Sequence, residues 1–210
     1  MRKGGREMQP EDLRNYVRIN KRHWDAIATR DWNKKLEELR QVKEDASYIE
    51  KWEPKIASYL NEIAGKKIIV PQFGDGHLML ACAKKGAIVT GVDLSSEQVR
   101  LAGEAAAYCG VKVKLVEADW QDLPKSVPDS GFDLAVTECG IFIWIQNLDA
   151  WMKNAYRVLK TGGKLIVSDF HPISMIAEWK DGRMTFRRSY FDQSPEFCES
   201  EGDVPPSVEF

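Results

Sequence analysis

A glycine loop and two acids, each placed just after an apolar run, carry the chemistry legible in this chain. Gln72-Phe73-Gly74-Asp75-Gly76-His77 follows the first run. Glycines there let a ligand approach the backbone and aim the next helix's amide groups at its negative end. A Gly-x-Gly alone makes a tight turn as readily as a binding loop. Asp93 ends the second run, where a carboxylate can accept both hydroxyls of a ribose lying across strand ends. Its plain alternative is a helix N-terminal acid just before the Ser95 cap. Asp119 follows the third run with Trp120 beside it; the acid can accept from an adenine amino group and the indole can cover an aromatic ring. Singly, each has a bland explanation. Three successive segments that each deliver a group a nucleoside needs are a stronger signal than any one of them.

These groups need elements to hold them. Lys66–Pro71, Ala87–Asp93, Val111–Glu117, Phe132–Thr137 and Lys164–Asp169 read as five strands. Between them lie helices at Leu78–Lys85, from Ser95 with Gln98 in capping-box spacing to Gly110, and along the stripe Leu148, Trp151, Met152, Ala155, Val158 and Leu159. Repeated strand–helix units close by right-handed crossovers into a parallel sheet with helices on both faces. Ligands of such sheets sit outside the carboxyl ends of the strands. Upstream, residues 11–63 are charged and helical in period. Asp31 caps Trp32, Leu36, Leu39 and Val42, and Pro54 opens a helix carrying Ile56, Tyr59, Leu60 and Ile63 that Gly65 ends. The expected division is 1–64 as an N-terminal helical lid, 65–172 as the core and 173–210 as an irregular acidic segment.

Composition narrows the function classes. A chain of 210 residues with 43% hydrophobic residues can bury one continuous core. A net charge of -2 gives no global basic field, so neither nucleic acid nor an anionic membrane is the default partner; a small molecule is. Cys82, Cys109, Cys139 and Cys198 lie far apart with no CxxC, which argues against a disulfide scaffold or a metal site and fits a reducing cytoplasm. No apolar stretch reaches membrane-span length, and the charged start has no signal-peptide character.

GAIVTGVDLSSEQVRLA, EADWQDLP and FDLAVTECGIFIWIQNLDAWMKNAYRVLKTGGKLIVSDFHP together resemble the class I S-adenosylmethionine-dependent methyltransferases over about residues 66–172. The segment NKRHWDAIA, Asn20–Ala28, is similar to the first helix of many relatives. The first loop's glutamine and the Trp144, Leu148, Asp149, Trp151 spacing are similar to a bacterial small-molecule branch. The resemblance implies an α/β, doubly wound, mostly parallel Rossmann-like sheet and S-adenosylmethionine as cofactor. It implies that Gln72, Gly74 and Gly76 flank the methionine part, that Asp93 and Leu94 meet the ribose and that Asp119 and Trp120 meet the adenine. Cys139 and Glu138 then lie near the sulfonium. Most relatives have an acid where Val70 stands and a glycine where Gln72 stands; the Gln72 amide offers a donor and an acceptor in exchange. Relatives also close the sheet with a further helix and hairpin, whereas Met175–Phe210 is polar and strand-like only in MTFRRSYF. Either those strands are absent or the chain stops before them, exposing an apolar edge.

Trp24, Glu138, Trp144 and His171 are the substrate-facing candidates. His171 follows the fifth strand, where a neutral imidazole can take a proton, although a turn histidine before Pro172 is the plainer reading. His23 and His77 read as surface or loop residues, and no catalytic residue is singled out. Methyl transfer to a small molecule is the leading expectation. A cofactor-binding protein without turnover is its first alternative, favoured by Val70, Gln72 and the short C-terminus. A nicotinamide-dependent oxidoreductase is weaker, because Met79 stands at the third glycine of a dinucleotide fingerprint.

Overall fold

The computed structural model describes residues 15–30, 32–45, 47–192, 194–200 and 202–210; the expected cap Asp31 lies outside them. In chain order the elements are α1 (Tyr16–Thr29), α2 (Trp32–Glu44), α3 (Tyr48–Trp52), α4 (Pro54–Ala57), β1 (Lys67–Pro71), α5 (His77–Lys84), β2 (Ile88–Asp93), α6 (Ser96–Cys109), β3 (Val113–Glu117), β4 (Phe132–Glu138), α7 (Leu148–Val158), β5 (Leu159–Ser168), α8 (Ile173–Ile176), and the short strands β6 (Ala177–Lys180), β7 (Arg183–Phe186), β8 (Glu196–Cys198) and β9 (Ser207–Glu209).

The first five strands form one parallel sheet in the order β3-β2-β1-β4-β5. Chain direction across the sheet reverses between β1 and β4, and loops there diverge to leave a crevice. Side-chain alternation divides the core. Ile68, Val70, Leu134 and Val136 face one buried cluster, while Ile69 and Ala135 face the other with Trp120 and Trp151. Leu39, Val42, Ile49 and Ile56 of the N-terminal helices belong to the first cluster, so that segment is packed against the sheet.

Ser95 accepts a hydrogen bond from the Gln98 backbone N–H at 3.0 Å, as its spacing predicts, and starts α6 beside Asp93. Gly91 in β2 has no such signal in the sequence. A Cβ there would lie 2.3 Å from Met79 Sδ and 2.7 Å from Phe73, so α5 and its loop sit directly on the strand backbone.

Four expectations need correction. The helix from Pro54 stops at Ala57, because Tyr59 and Leu60 close tight bonds to the carbonyls of Ile56 and Ala57; Tyr59 is turned outward. Leu148 and Met152 are exposed, so the buried stripe of α7 is Trp151, Ala155 and Val158. The fifth strand begins at Leu159 rather than Lys164. Beyond β5 the chain makes two antiparallel pairs, β6–β7 and β8–β9, with none of the described residues adding a sixth strand to the sheet. These strands are three or four residues long, below the length at which alternation is readable.

A candidate cofactor and substrate cavity

A cavity of about 290 Å³ opens at the carboxyl edge of the sheet. The ends of β1, β2, β3 and β4 each bring a group to it. Gly74 and Gly76 come from the loop after β1, Asp93 from β2, Asp119 from the turn after β3, and Glu138 with Cys139 from β4. Gln72, Leu94, Trp120, Trp24 and Trp144 complete the predicted residues that line it.

Asp93 is buried and already engaged. Its Oδ2 accepts from the Gly74 N–H at 3.0 Å and its Oδ1 from the Ser95 N–H at 2.9 Å. Burial outweighs those bonds and pushes its carboxyl up to about 6. Each oxygen keeps a lone pair for a further donor. Asp119 accepts from the Gln121 N–H at 2.8 Å, and Gln121 in turn donates from its side chain to Tyr16 Oη at 3.0 Å. Burial, with Asp119 adding to it, raises the Tyr16 hydroxyl to about 12. Trp120 is 2% exposed and donates its indole N–H to the Trp151 carbonyl at 3.1 Å, so its side chain belongs mainly to the core.

Two of the left-handed non-glycine residues lie at the cavity, the others being Ser130 and Asp181. Gln72 and Cys139, at the ends of β1 and β4, both have left-handed backbones, with φ of 50° and 70°. They flank the crevice. Gly74 has φ of 53° and space around it, so the loop backbone is open to a ligand. The Gln72 side chain is held, since its Oε1 accepts the Trp151 indole N–H at 2.8 Å, leaving its amide hydrogens to offer. The loop after β4 is held by Asp169, which accepts from the N–H groups of Gly140, Ile141 and Phe142 at 2.6, 3.0 and 2.9 Å.

The roof is α1, braced from behind by the C-terminal end of the described chain. α1 contributes Tyr16, Asn20, Trp24 and Ile27 to the lining. Its Asp25 accepts from Ser95 Oγ at 2.6 Å and from the Glu97 N–H at 3.1 Å. Its Asn20 side chain makes two bonds to the Val208 backbone, at 2.9 and 2.8 Å. Trp24 and Trp144 meet edge to face, 5.1 Å apart, with His23 against both. Sequence reasoning passed over Asn20 because its partner lies 188 positions away.

His171 is not brought to the cavity. Its Nδ1 accepts from the Ile173 N–H at 3.2 Å and its ring stacks on Tyr190, the arrangement of an exposed turn histidine. His77, read as a loop residue, does line the cavity: it opens α5 and lies parallel to Tyr48 and Trp52. Its signal is structural, since Tyr48 and Trp52 come from α3 and His77 from α5, far apart in the sequence. Burial holds its imidazole below the usual range. Glu138 has a buried Oε2 with no hydrogen-bond partner among the described residues. Burial first, and Glu53 second, push its carboxyl up to about 7.

Known proteins resemble this chain in sequence and in fold. A methyltransferase domain model matches residues 72–163. A sterol 4-C-methyltransferase of Caenorhabditis elegans is 41% identical over 98 residues, covering 46% of this chain and 28% of that protein. A demethylmenaquinone methyltransferase of Thermus thermophilus is 33% identical over 124 residues, covering 58% of this chain and 55% of that protein. An S-adenosylmethionine dependent methyltransferase from Mesorhizobium loti, of known structure, superposes with a TM-score of 0.57 at 25% identity, over 73% of this chain and 69% of that one. The chain spans 28% and 55% of the lengths of the two curated relatives.

Proposed function

We propose that this chain, which has the fold and the domain match of the class I S-adenosylmethionine-dependent methyltransferases, transfers a methyl group from that cofactor to a small-molecule acceptor. The observation that carries the reading is the row of strand ends. The loop after β1, Asp93, and Asp119 open side by side into one cavity at the point where the strand order reverses. A nucleoside fits that row.

The lining residues suit this cofactor better than a dinucleotide. Its described charged members are Asp75, Asp93, Asp119 and Glu138, with no Lys or Arg among them. A pyrophosphate would meet only repulsion from those side chains, while a sulfonium and an ammonium would be welcomed. When bound, S-adenosylmethionine supplies a methyl carbon activated by its positively charged sulfur. In this reading Asp93 accepts the ribose hydroxyls and Asp119 the adenine amino group. Gly74 and Gly76 allow the methionine part to lie against the backbone, with Gln72 and Cys139 around it, Leu94 beside the ribose and Trp120 beside the adenine. α1 acts as a lid, excluding water with Trp24 and Trp144, and the loop that Asp169 holds orients the acceptor for in-line attack. A cytoplasmic location fits a chain in which, among the described residues, no helix is long and apolar enough to cross a membrane.

Calorimetric titration with S-adenosylmethionine, S-adenosylhomocysteine and NADH tests the reading. The first two bind with dissociation constants of about a micromolar, roughly -8 kcal/mol, and NADH gives no heat. Asp93→Ala abolishes that binding with unchanged circular dichroism. Binding of NADH alone would return the oxidoreductase reading to first place.

A further inference from the structure

Four parallel strands set a scale along the cavity. Asp119, Asp93, the glycine loop and Glu138 follow β3, β2, β1 and β4, which are neighbours in that order. Strands lie about 4.8 Å apart, so Glu138 stands roughly 14 Å from Asp119 along the row. A nucleoside and its methionine tail occupy the first three positions. The fourth belongs to whatever receives the methyl group.

That fourth position has a distinct chemistry. Asp75 is paired with Lys35 at 2.7 Å, Asp93 takes two backbone N–H groups and Asp119 takes Gln121. Glu138 differs, with Oε2 out of solvent and no donor among the described residues. A buried carboxylate oxygen left unbonded is costly, and the site is completed by a ligand that brings a hydrogen and a positive charge. At the same cavity wall, Tyr48, Trp52 and His77 set three nearly parallel rings in a triangle, each pair of centroids 6.0 Å apart with interplanar angles of 13°, 14° and 20°. Trp52 keeps 56% of its surface exposed while lining the cavity. The titratable groups coupled to Glu138 are Tyr48 of α3, Glu53 at the turn into α4, Cys82 of α5 and Cys139 beside it. His77 also lines this cavity, and its burial disfavours a positive charge on the ring. Aromatic faces beside a carboxylate oxygen without a donor are an environment for an organic cation.

Resting on the methyl-transfer reading, we propose that the acceptor is an organic amine on a flat apolar body, with its ammonium held by Glu138 and its body laid against Trp52. The ammonium gives one proton to Glu138, leaving a neutral amine. The nitrogen lone pair forms the C–N bond as the C–S bond breaks, and that bonding pair stays on sulfur. Positive charge passes from sulfur to nitrogen, and Glu138 releases its proton to solvent.

The test is calorimetric titration of the protein, with and without S-adenosylhomocysteine, using 2-phenylethylamine and the similarly sized anion 3-phenylpropionate as probes. The amine binds at least about tenfold more tightly than the acid. Glu138→Gln loses about tenfold or more of that amine affinity while S-adenosylhomocysteine affinity stays within about twofold, and Trp52→Ala weakens the amine without reversing the preference. Wild-type amine affinity falls as pH drops below 7, and the Glu138→Gln profile is flat. Equal binding of the two probes, or unchanged amine affinity in Glu138→Gln, overturns the proposal. Loss of S-adenosylhomocysteine affinity in that variant also overturns it, because Glu138 would then serve the cofactor. Selective amine binding by a protein that ignores S-adenosylhomocysteine supports the amine site and refutes the methyl-transfer reading instead.

Discussion

Asp93 is asked to be two things, a buried acid and an acceptor, and the two have opposite pH dependences. Its carboxyl lies near 6 in the folded chain against 3.8 ordinarily, so the folded state holds more protons than the unfolded between those values. Stability of the unliganded protein therefore falls as pH rises through that window and is level above it. A ribose donating to Asp93 favours the ionised form, so cofactor affinity moves the other way, weakening by about tenfold per unit below pH 6. The rise in Tm produced by S-adenosylhomocysteine is expected to be small at pH 5 and full at pH 7.5; an equal rise at both would remove Asp93 from the site. Gln72 gives a second expectation. Gln72→Leu strands the buried Trp151 indole N–H and costs about 1–3 kcal/mol, read as a lower urea midpoint at constant slope. The places of Asp93 and Asp119 at strand ends on the cavity were legible in the sequence. Residues whose chemistry is lent by a distant partner, such as Gln72 with Trp151 or His77 with Trp52, were not.

At the scale of elements, the parallel sheet and its three covering helices followed from apolar runs and cap residues, because both signals are local. Gly91 shows what such signals omit. Its flanking residues read as an ordinary buried strand, yet α5 and its loop approach so closely that no side chain fits. Gly91→Ala forces Met79 and Phe73 outward and is expected to cost about 1–3 kcal/mol through overpacking. Because Phe73 sits between Gln72 and Gly74, the same change also displaces the glycine loop proposed to hold the cofactor. The matching measurement is joint loss of Tm and of S-adenosylhomocysteine affinity; a stability loss with intact affinity would separate the strand from the loop. Of the short strands only β7 was touched by the strand-like MTFRRSYF; β6, β8 and β9 escaped prediction for the reverse reason, since pairing rather than alternation defines them.

For the molecule as a whole, the controlling contact is the one between α1 and β9. Asn20 holds Val208, Phe210 donates its backbone N–H to the Ile143 carbonyl at 2.8 Å, and Tyr16 meets the Phe210 ring edge to face at 5.2 Å. Removing residues 207–210 is expected to raise amide exchange along α1 and to speed S-adenosylhomocysteine release, with exchange in β1 and β4 unchanged. Uniform loss of protection would instead make the strap part of the global fold. The same contact sets an order of assembly on the ribosome. α1 emerges early, but its seat against β9 exists only after residue 208 has followed it, with the whole sheet made in between. A nascent chain can thus complete the row of strand ends while the roof still waits, and such long-range closure is slow. During that interval the open cavity is bare apolar and acidic surface, and an early-bound nucleoside would act as the first ligand to protect it.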